Sequence, residues 1–214
     1  MKLHTFFRSS ASYRVRIALN LKGMPAVHAH VHLSKNGGEQ FGPQFDALNP
    51  QHLLPVLEHD DLVLPQSLAI IEYLDETHPA IPLLPADAAG RARVRALSQL
   101  IACDIHPLNN LRVLKYLSGE LGLADAQKNT WYRHWVALGL EALESQLARS
   151  PQTGLFCHGD TPTMADCCLV PQLYNARRFD CDLAPYPTIR AIEARCEALE
   201  AFATARPEAQ PDAA

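Results

Sequence analysis

The sequence predicts an α/β domain followed by an all-α domain. Over the first 78 residues, segments with the period of strands alternate with segments of helical period, in the order β-α-β-α-β-β-α. Residues 78–87 read H-P-A-I-P-L-L-P-A-D, and every periodic segment beyond this proline-rich stretch has helical spacing. We therefore predict a first domain at residues 1–80, a linker at residues 81–87 and an all-helical domain at residues 88–214.

The first strand and the first helix enclose a turn rich in serine. Residues 2–7 have the apolar and aromatic content of a strand, and apolar side chains recur at helical spacing over residues 15–21. The turn between them holds Ser9, Ser10 and Ser12. Hydroxyls and free backbone N–H groups at a helix start form a site for an anion, and a thiolate is the natural candidate. The turn has no cysteine, so the thiolate would arrive on a ligand; capping of the helix is the alternative role for these serines.

Three histidines mark the second strand. Residues 26–33, A-V-H-A-H-V-H-L, alternate with period two and predict a strand at the edge of the sheet. His28, His30 and His32 share one face, which is an arrangement that a metal site can use. No Asp, Glu or Cys with ligand spacing accompanies them. We therefore interpret them as polar residues on the solvent face of an edge strand and expect no metal.

The rest of the first domain contains a hairpin and a helix. After a short helical segment at residues 45–48, residues 56–58 and 62–64 predict two strands joined by the turn H-D-D. Pro55 either begins the first of these strands or marks a special turn with a cis bond. Ser67 precedes an apolar helical segment and is its predicted N-cap.

Helical periodicity predicts four helices in the second domain. The first spans residues 94–108 and bends at Pro107, because a proline removes a helical hydrogen bond and crowds the preceding turn. The others are expected at residues 131–147, at residues 164–176 after a capping box formed by Thr163 and Asp166, and at residues 187–202. We expect the Ala- and Pro-rich segment after the last helix to be frayed.

Composition restricts the class of protein. The net charge is −4, which gives no indication of a nucleic-acid surface. No stretch approaches the ~20 apolar residues of a membrane span, and the first residues lack the apolar run of a signal peptide. The six cysteines form no C-x-x-C motif and show no paired spacing. Reduced thiols in the cytoplasm are the simplest interpretation.

Several motifs, taken together, resemble those of the zeta-class glutathione transferases, which include maleylacetoacetate and maleylpyruvate isomerases. The most specific is R-S-S at residues 8–10, followed by R-V-R-I-A-L at residues 14–19. Other matching motifs follow in order along nearly the whole chain: G-G-E-Q-F at 37–41, A-L-N-P-Q at 47–51, Q-S-L-A-I at 66–70, C-D-I-H-P-L-N-N at 103–110 and A-R-R-F at 176–179. The resemblance implies an N-terminal thioredoxin-like domain that binds glutathione and a C-terminal all-helical glutathione-transferase domain.

The resemblance implies roles for residues of the first domain. Ser9 would donate a hydrogen bond to the glutathione sulfur, with Ser10 as a neighbouring contributor. Gln66 and Ser67 would hold the γ-glutamyl end, and Pro55 would be a cis-proline that lets the Val56 backbone pair with the cysteinyl peptide. Gln40 and His52 would lie near the glycyl carboxylate.

Two positions depart from the pattern of the class. His52 stands where the class often has Lys, and Ala11 stands where zeta members commonly carry Cys. Isomerisation does not need a cysteine of the protein, because the nucleophilic sulfur belongs to glutathione. The absence of this cysteine also argues against a dithiol oxidoreductase, the other large use of the thioredoxin fold.

Arginines are the expected ligands of a substrate with two carboxylates, because a guanidinium pairs with a carboxylate through two hydrogen bonds. Arg8 is the first candidate, and the resemblance makes Arg178, on the helical domain, the second. Arg178 also follows the pattern of a solvated helix end that compensates the helix dipole. The remaining candidates are Asp104, for the amine of glutathione, and His106 and Asn110, for the edge of the pocket; packing is the alternative for Asp104 and His106.

The function that follows is a glutathione-dependent cis–trans isomerase of a maleyl keto-diacid in the degradation of aromatic compounds. The close alternative is a glutathione transferase or dehalogenase that acts on small α-halo acids. A non-catalytic adaptor is the alternative from another class, against which the intact Ser9, Gln66 and Ser67 argue. The implied partners are a small dicarboxylate and, as in the family, a second copy of the chain; no nucleic acid and no membrane are expected.

Overall fold

The computed structural model describes residues 1–213, and the chain divides into two compact units. The sheet unit consists of Met1–Leu83 together with the segment from Glu197 onward, and the helical unit consists of Leu84–Cys196. The predicted division at residues 80 and 88 stays a prediction. The last segment, however, groups with the sheet, because Asn20 Nδ2 donates to the Ala201 carbonyl at 3.0 Å.

The sheet unit has the predicted order of elements. Its strands and helices are β1 (Lys2–Thr5), α1 (Ser10–Leu21), β2 (Val27–His30), α2 (Pro43–Asp46), β3 (Val56–His59), β4 (Leu62–Pro65) and α3 (Ser67–Thr77). The four strands form one sheet in the order β2-β1-β3-β4. β1 and β2 are parallel, with α1 as the crossover between them, whereas β3 pairs antiparallel with both β1 and β4. β2 is therefore the edge strand that the sequence predicted, and β3 and β4 form the predicted hairpin.

Helix α1 is buried along almost its whole length, which includes two arginines. Ten apolar side chains of β1, α1, β3 and α3 are essentially inaccessible and form the interior of this unit: Leu3, Val15, Ile17, Ala18, Leu19, Val56, Leu57, Ile70, Ile71 and Leu74. Each large apolar side chain buried in this way contributes about 1.5–3 kcal/mol. Arg14 and Arg16 are also buried, at 2% and 1% exposure. A buried guanidinium needs hydrogen-bond acceptors. The acceptors include Ser67 Oγ for Arg14 and the Phe6 and Phe7 carbonyls for Arg16.

A buried ion pair fixes the chain after α3. Lys22 Nζ lies 3.0 Å from Asp75 Oδ1 and donates to the Ile81 carbonyl at 2.7 Å, while the Leu83 N–H donates to the same Asp75 oxygen at 2.6 Å. Both side chains are almost inaccessible, so the pair depends on these additional hydrogen bonds for its stability.

The helical unit contains more helices than the periodicity predicted. They are α4 (Ala88–Gln99), α5 (Leu111–Gly119), α6 (Asp125–Arg149), α7 (Met164–Arg178) and α8 (Pro187–Glu197). A further short helix, α9 (Glu200–Ala203), lies in the sheet unit, so the predicted fourth helix at residues 187–202 is two helices. The predicted capping box is confirmed, since both the N–H and the hydroxyl of Thr163 donate to Asp166 Oδ2, at 2.7 and 2.8 Å.

The predicted helix at residues 94–108 departs from regular α-helix before its proline. Regular geometry ends at Gln99, Leu100–Ile105 is π-helical, and His106–Asn109 is a 3₁₀ turn that contains Pro107. The proline lacks an N–H and its ring crowds the carbonyl four residues earlier, so the widened turn lies on the N-terminal side of Pro107. Gly139 of α6 accommodates this widened turn, because a Cβ there would overlap the Ile105 side chain.

Within residues 1–213, no helix is both long and apolar enough to cross a membrane. The same residues contain no group of three or more His, Cys, Asp or Glu side chains that could hold a metal ion. None of the six cysteines, all within residues 1–213, is in a disulfide, and four of them are buried.

Candidate active site

Ser9 is the N-cap of α1, as its position in the turn predicted. Its backbone is extended, with φ −67° and ψ 113°, and its Oγ accepts a hydrogen bond from the Ser12 N–H at 3.2 Å. Because the cap uses Oγ only as an acceptor, the single hydroxyl proton of Ser9 stays available to donate to a bound anion. The first turn of α1 contains no acidic residue that would disfavour an anion at this helix start.

Arg8 and Ser10 flank this cap. The side chain of Arg8 is exposed, and its guanidinium lies 4.9 Å from the centroid of the Phe7 ring, within the range of a cation–π interaction. Ser10 begins the helix and is 4% exposed, so it lies behind Ser9 rather than on the surface of the turn. The turn therefore presents one half-buried hydroxyl with an exposed cationic side chain beside it.

Pro55 and Val56 lie at the start of β3. The Leu54–Pro55 peptide bond is cis, which is one of the two alternatives left open by the sequence. Val56 is fully buried and pairs with His4 of β1, the strand that leads into the serine turn. The roles predicted for both residues toward glutathione stay predictions.

The predicted N-cap of α3 is wrong by one residue. Ser67 is the first helical residue, and Gln66 occupies the cap position in a left-handed conformation with φ 73°. Its side chain makes no capping hydrogen bond; Gln66 Nε2 instead donates to Gln51 Oε1 at 3.2 Å. A left-handed backbone is uncommon for a residue other than glycine, and such conformations are concentrated at functional sites.

Ser67 has a buried cationic neighbour that the sequence did not reveal. Arg14 Nη1 donates to Ser67 Oγ at 3.2 Å, in a contact that is fully buried. This contact connects α1 to the start of α3. It also directs the hydroxyl proton of Ser67 away from the arginine, because Oγ is already the acceptor there. The available signal was the pair of arginines, Arg14 and Arg16, within an otherwise apolar helical segment.

Gln40 and His52 lie near each other on the loops that precede β3. The ring of His52 is 5.1 Å from that of Phe41, the residue next to Gln40. Gln40 is 4% exposed, and its Oε1 has no hydrogen-bond partner, so this loop contains an unused acceptor. His52 differs, since its Nε2 lies 2.8 Å from Asp46 Oδ1. A carboxylate ligand at His52 would have to compete with Asp46.

The remaining predicted residues belong to the helical unit. Asp104 is exposed on the π-helical segment. Asn110 Oδ1 accepts from the Arg112 N–H at 3.1 Å and so caps α5, while its Nδ2 lies 3.4 Å from His106 Nε2. Arg178 is exposed at the last turn of α7, with its guanidinium 5.9 Å from the Phe179 ring.

Arg177 and Arg178 differ in their contacts, although both end the same helix. Arg177 makes a bidentate ion pair with Glu193, whose carboxylate is buried. This pair engages the Arg177 guanidinium within the helical unit, whereas the guanidinium of Arg178 lies against the Phe179 ring.

Comparisons with known proteins identify the family. The family model of the glutathione S-transferase N-terminal domain matches residues 3–82, and that of the C-terminal domain matches residues 136–205. A probable maleylacetoacetate isomerase from Vibrio cholerae is 54% identical over 211 residues, which cover 99% of this chain and 97% of that protein.

Solved structures of related proteins match the fold of this chain over its full length. The holo structure of a maleyl pyruvate isomerase, described as a bacterial zeta-class glutathione S-transferase, is 53% identical, has a TM-score of 0.97 and is covered completely by this chain. A maleylacetoacetate isomerase from Methylobacterium extorquens AM1, solved with malonate and glutathione, is 41% identical with a TM-score of 0.95, again with 100% of both chains covered. This chain therefore belongs to the glutathione S-transferase family, and within it to the zeta class.

Proposed function

We propose that this protein is a glutathione-dependent cis–trans isomerase that converts a maleyl keto-diacid, maleylpyruvate or maleylacetoacetate, to its fumaryl isomer. The observation that carries the proposal is the serine turn: a hydroxyl donor at the start of a buried helix, on a chain whose relatives of more than 50% identity include isomerases of this type. A free hydroxyl proton at a helix N-terminus suits an enzyme whose nucleophile is a bound thiolate.

The residues of the sheet unit fit glutathione. Ser9 offers a donor to sulfur, and the first turn of α3 at Ser67 offers N–H groups and a hydroxyl to the γ-glutamyl carboxylate. Gln40 contributes a buried oxygen that has no partner of its own, which suits an amide-rich ligand. Gln66, His52 and the backbone of Val56 are further predicted contacts in this unit.

Glutathione, when bound, supplies a thiolate nucleophile that reduces the order of the substrate double bond, so that it can rotate, and that is regenerated afterwards. The protein has to keep this sulfur ionised at neutral pH. An ordinary thiol has a pKa of ~8.5, and a donor together with a helix N-terminus lowers it by one or more units. Ser9 donates its hydroxyl proton to the sulfur for this purpose, and it is not itself the nucleophile.

Arginine side chains bind the substrate carboxylates. Arg8 precedes the sulfur-binding serine and has an exposed guanidinium, so it can bind a carboxylate of a substrate that reacts at the sulfur. Arg178 is the candidate for the other carboxylate. A guanidinium also offsets the negative charge that develops on the substrate when a thiolate adds to it.

The test is to follow loss of the maleyl chromophore with glutathione present at a small fraction of the substrate concentration. Complete conversion of each keto-diacid without consumption of glutathione is expected, and comparison of the two substrates decides between them. Consumption of one glutathione per substrate would instead indicate conjugation, the activity of a transferase or an α-halo acid dehalogenase. Absence of turnover with either keto-diacid would refute the proposed isomerase.

We also propose a cytoplasmic homodimer, as the family resemblance implies. Six cysteines without a disulfide suit a reducing compartment. Sedimentation equilibrium of the purified protein should give twice the mass of the chain.

A further inference from the structure

The backbone of Phe7 is held on both sides by charged side chains. This residue lies between the end of β1 at Thr5 and the cap at Ser9. Its N–H donates to Asp212 Oδ2 at 2.9 Å, and its carbonyl accepts from Arg16 Nη2 at 2.9 Å. Arg16 lies nine positions from Phe7, on the helix that follows the turn, whereas Asp212 is 205 positions away.

Arg16 is the first half of this arrangement. Besides the Phe7 carbonyl, its guanidinium donates to the Phe6 carbonyl at 3.3 Å and, through Nε, to the Ala205 carbonyl at 3.1 Å. Burial lowers the pKa of Arg16 to about 10, so the group stays protonated at neutral pH. One buried cation thus connects the serine turn to the segment that follows α9.

Asp212 is the second half. Its carboxylate is 13% exposed and lies in the last described 3₁₀ turn, Pro211–Ala213. While Oδ2 accepts from Phe7, Oδ1 lies 3.1 Å from His30 Nδ1 at the end of β2. The predicted frayed tail is therefore wrong for residues 207–213, which form two 3₁₀ turns and contact the sheet unit.

We propose that Asp212 is a positioning residue for the active site: by accepting the Phe7 N–H, it fixes the turn that presents Arg8 and Ser9 to the ligand. This inference rests on the proposed function, because it concerns the serine assigned there to the glutathione sulfur. Ser9 N–H donates to the Phe6 carbonyl at 3.0 Å, so a displacement of the Phe6–Phe7 backbone is transmitted directly to the cap.

The physical reason is the sensitivity of a charge-assisted hydrogen bond to distance and angle. The Ser9 hydroxyl can donate one hydrogen bond to the sulfur. A shift of the hydroxyl by a fraction of an ångström weakens this hydrogen bond. Misplacement by about 1 Å costs up to about 100-fold in rate in enzymes of many kinds. A residue that never touches the ligand can therefore control the ionisation of the bound thiol.

Two substitutions and one control test this. Asp212→Ala removes the acceptor, Asp212→Asn replaces it with a weaker, neutral one, and Asp61→Ala removes an exposed carboxylate from the turn between β3 and β4 of the same unit. Three readouts are compared: hydrogen exchange of the Phe7 amide in the free protein, the pKa of the thiol in the glutathione complex from its ultraviolet absorbance, and kcat.

We expect the Phe7 amide to exchange faster in Asp212→Asn than in the wild type, and faster still in Asp212→Ala. The pKa of the bound thiol should rise in the same order. We expect kcat to fall about 10- to 100-fold in Asp212→Ala. Asp61→Ala should match the wild type in all three readouts. In a Ser9→Ala background, Asp212→Ala should no longer raise the thiol pKa, because its effect passes through Ser9.

Faster exchange at Phe7 with an unchanged thiol pKa would overturn the proposal and leave Asp212 a purely structural residue. If Asp212→Ala does not fold, the comparison of Asp212→Asn with the wild type decides in the same way. The hydrogen-exchange and thiol-pKa measurements need no substrate. They therefore decide the role of Asp212 even if the wild type fails to isomerise either keto-diacid. Such a failure would refute only the proposed function.

Discussion

Replacement of Ser9 by alanine removes two interactions at once. The variant loses the hydroxyl donor to the bound sulfur, and it loses the cap acceptor for the Ser12 N–H. The two losses have different consequences, since the first affects the ionisation of the ligand and the second affects the stability of α1. Their separation is what makes the experiment informative.

The magnitudes follow from the geometry. A hydrogen bond to an ionised acceptor contributes about 1.5–3 kcal/mol, and 1.36 kcal/mol corresponds to one pKa unit, so the pKa of the bound thiol should rise by about 1–2 units. Turnover should fall about 10²-fold, as for loss of one oxyanion donor. The cap distance of 3.2 Å is at the long end of the normal range, so the loss of unfolding free energy should be about 0.5–1 kcal/mol.

The assay titrates the ultraviolet absorbance of the thiolate in the glutathione complex and measures kcat on the same preparations. Ser9→Thr retains both the donor and the cap and should stay close to the wild type. Asp87 is the N-cap of α4, where Oδ1 accepts from the Gly90 N–H at 2.8 Å, so Asp87→Ala is a control for loss of a cap alone. If Ser9→Ala has the thiol pKa and kcat of the wild type, Ser9 has no role in ionising the sulfur.

Three further predictions concern the substrate and the fold. Arg8→Met or Arg178→Met should mainly raise KM for the diacid, by about 10- to 100-fold, because each removes a charge-assisted bond to a carboxylate; steady-state kinetics with unchanged KM would contradict that role. Asp166→Ala leaves two backbone N–H groups without their acceptor, and urea denaturation should show a loss of about 2–4 kcal/mol in unfolding free energy. Gly139→Ala should lower the free energy of unfolding by about 1–3 kcal/mol, because the added Cβ overlaps the Ile105 side chain. Adding Ile105→Val should restore part of this loss. Equal stability of Gly139→Ala and the wild type in urea denaturation would mean that the widened turn can shift without cost.

The features that the sequence predicted correctly depend on short separations along the chain. Ser9 caps α1 through the N–H of Ser12, three positions away, and Thr163 pairs with Asp166 at the same spacing. The alternation of strand and helix in the sheet unit likewise follows from local periodicity. Such signals are present in a single sequence because both partners lie within one turn of each other.

The features that it did not predict depend on contacts between distant segments. The π-helical turn before Pro107 depends on space left by Gly139, and the position of residues 207–213 depends on Phe7 and His30. The left-handed backbone of Gln66 is also invisible to residue preferences, because such a conformation is rare for a side chain of this kind.

The contact between Phe7 and Asp212 has a consequence for synthesis of the protein on the ribosome. The first 83 residues emerge well before those from Glu197 onward, which complete the same unit. At translation rates of about 5–20 residues per second, the interval is on the order of ten seconds. During that interval the Phe7 N–H lacks its acceptor on Asp212. If Asp212 positions the serine turn as proposed, the thiol of bound glutathione should reach its full acidity only once Asp212 has left the ribosomal tunnel.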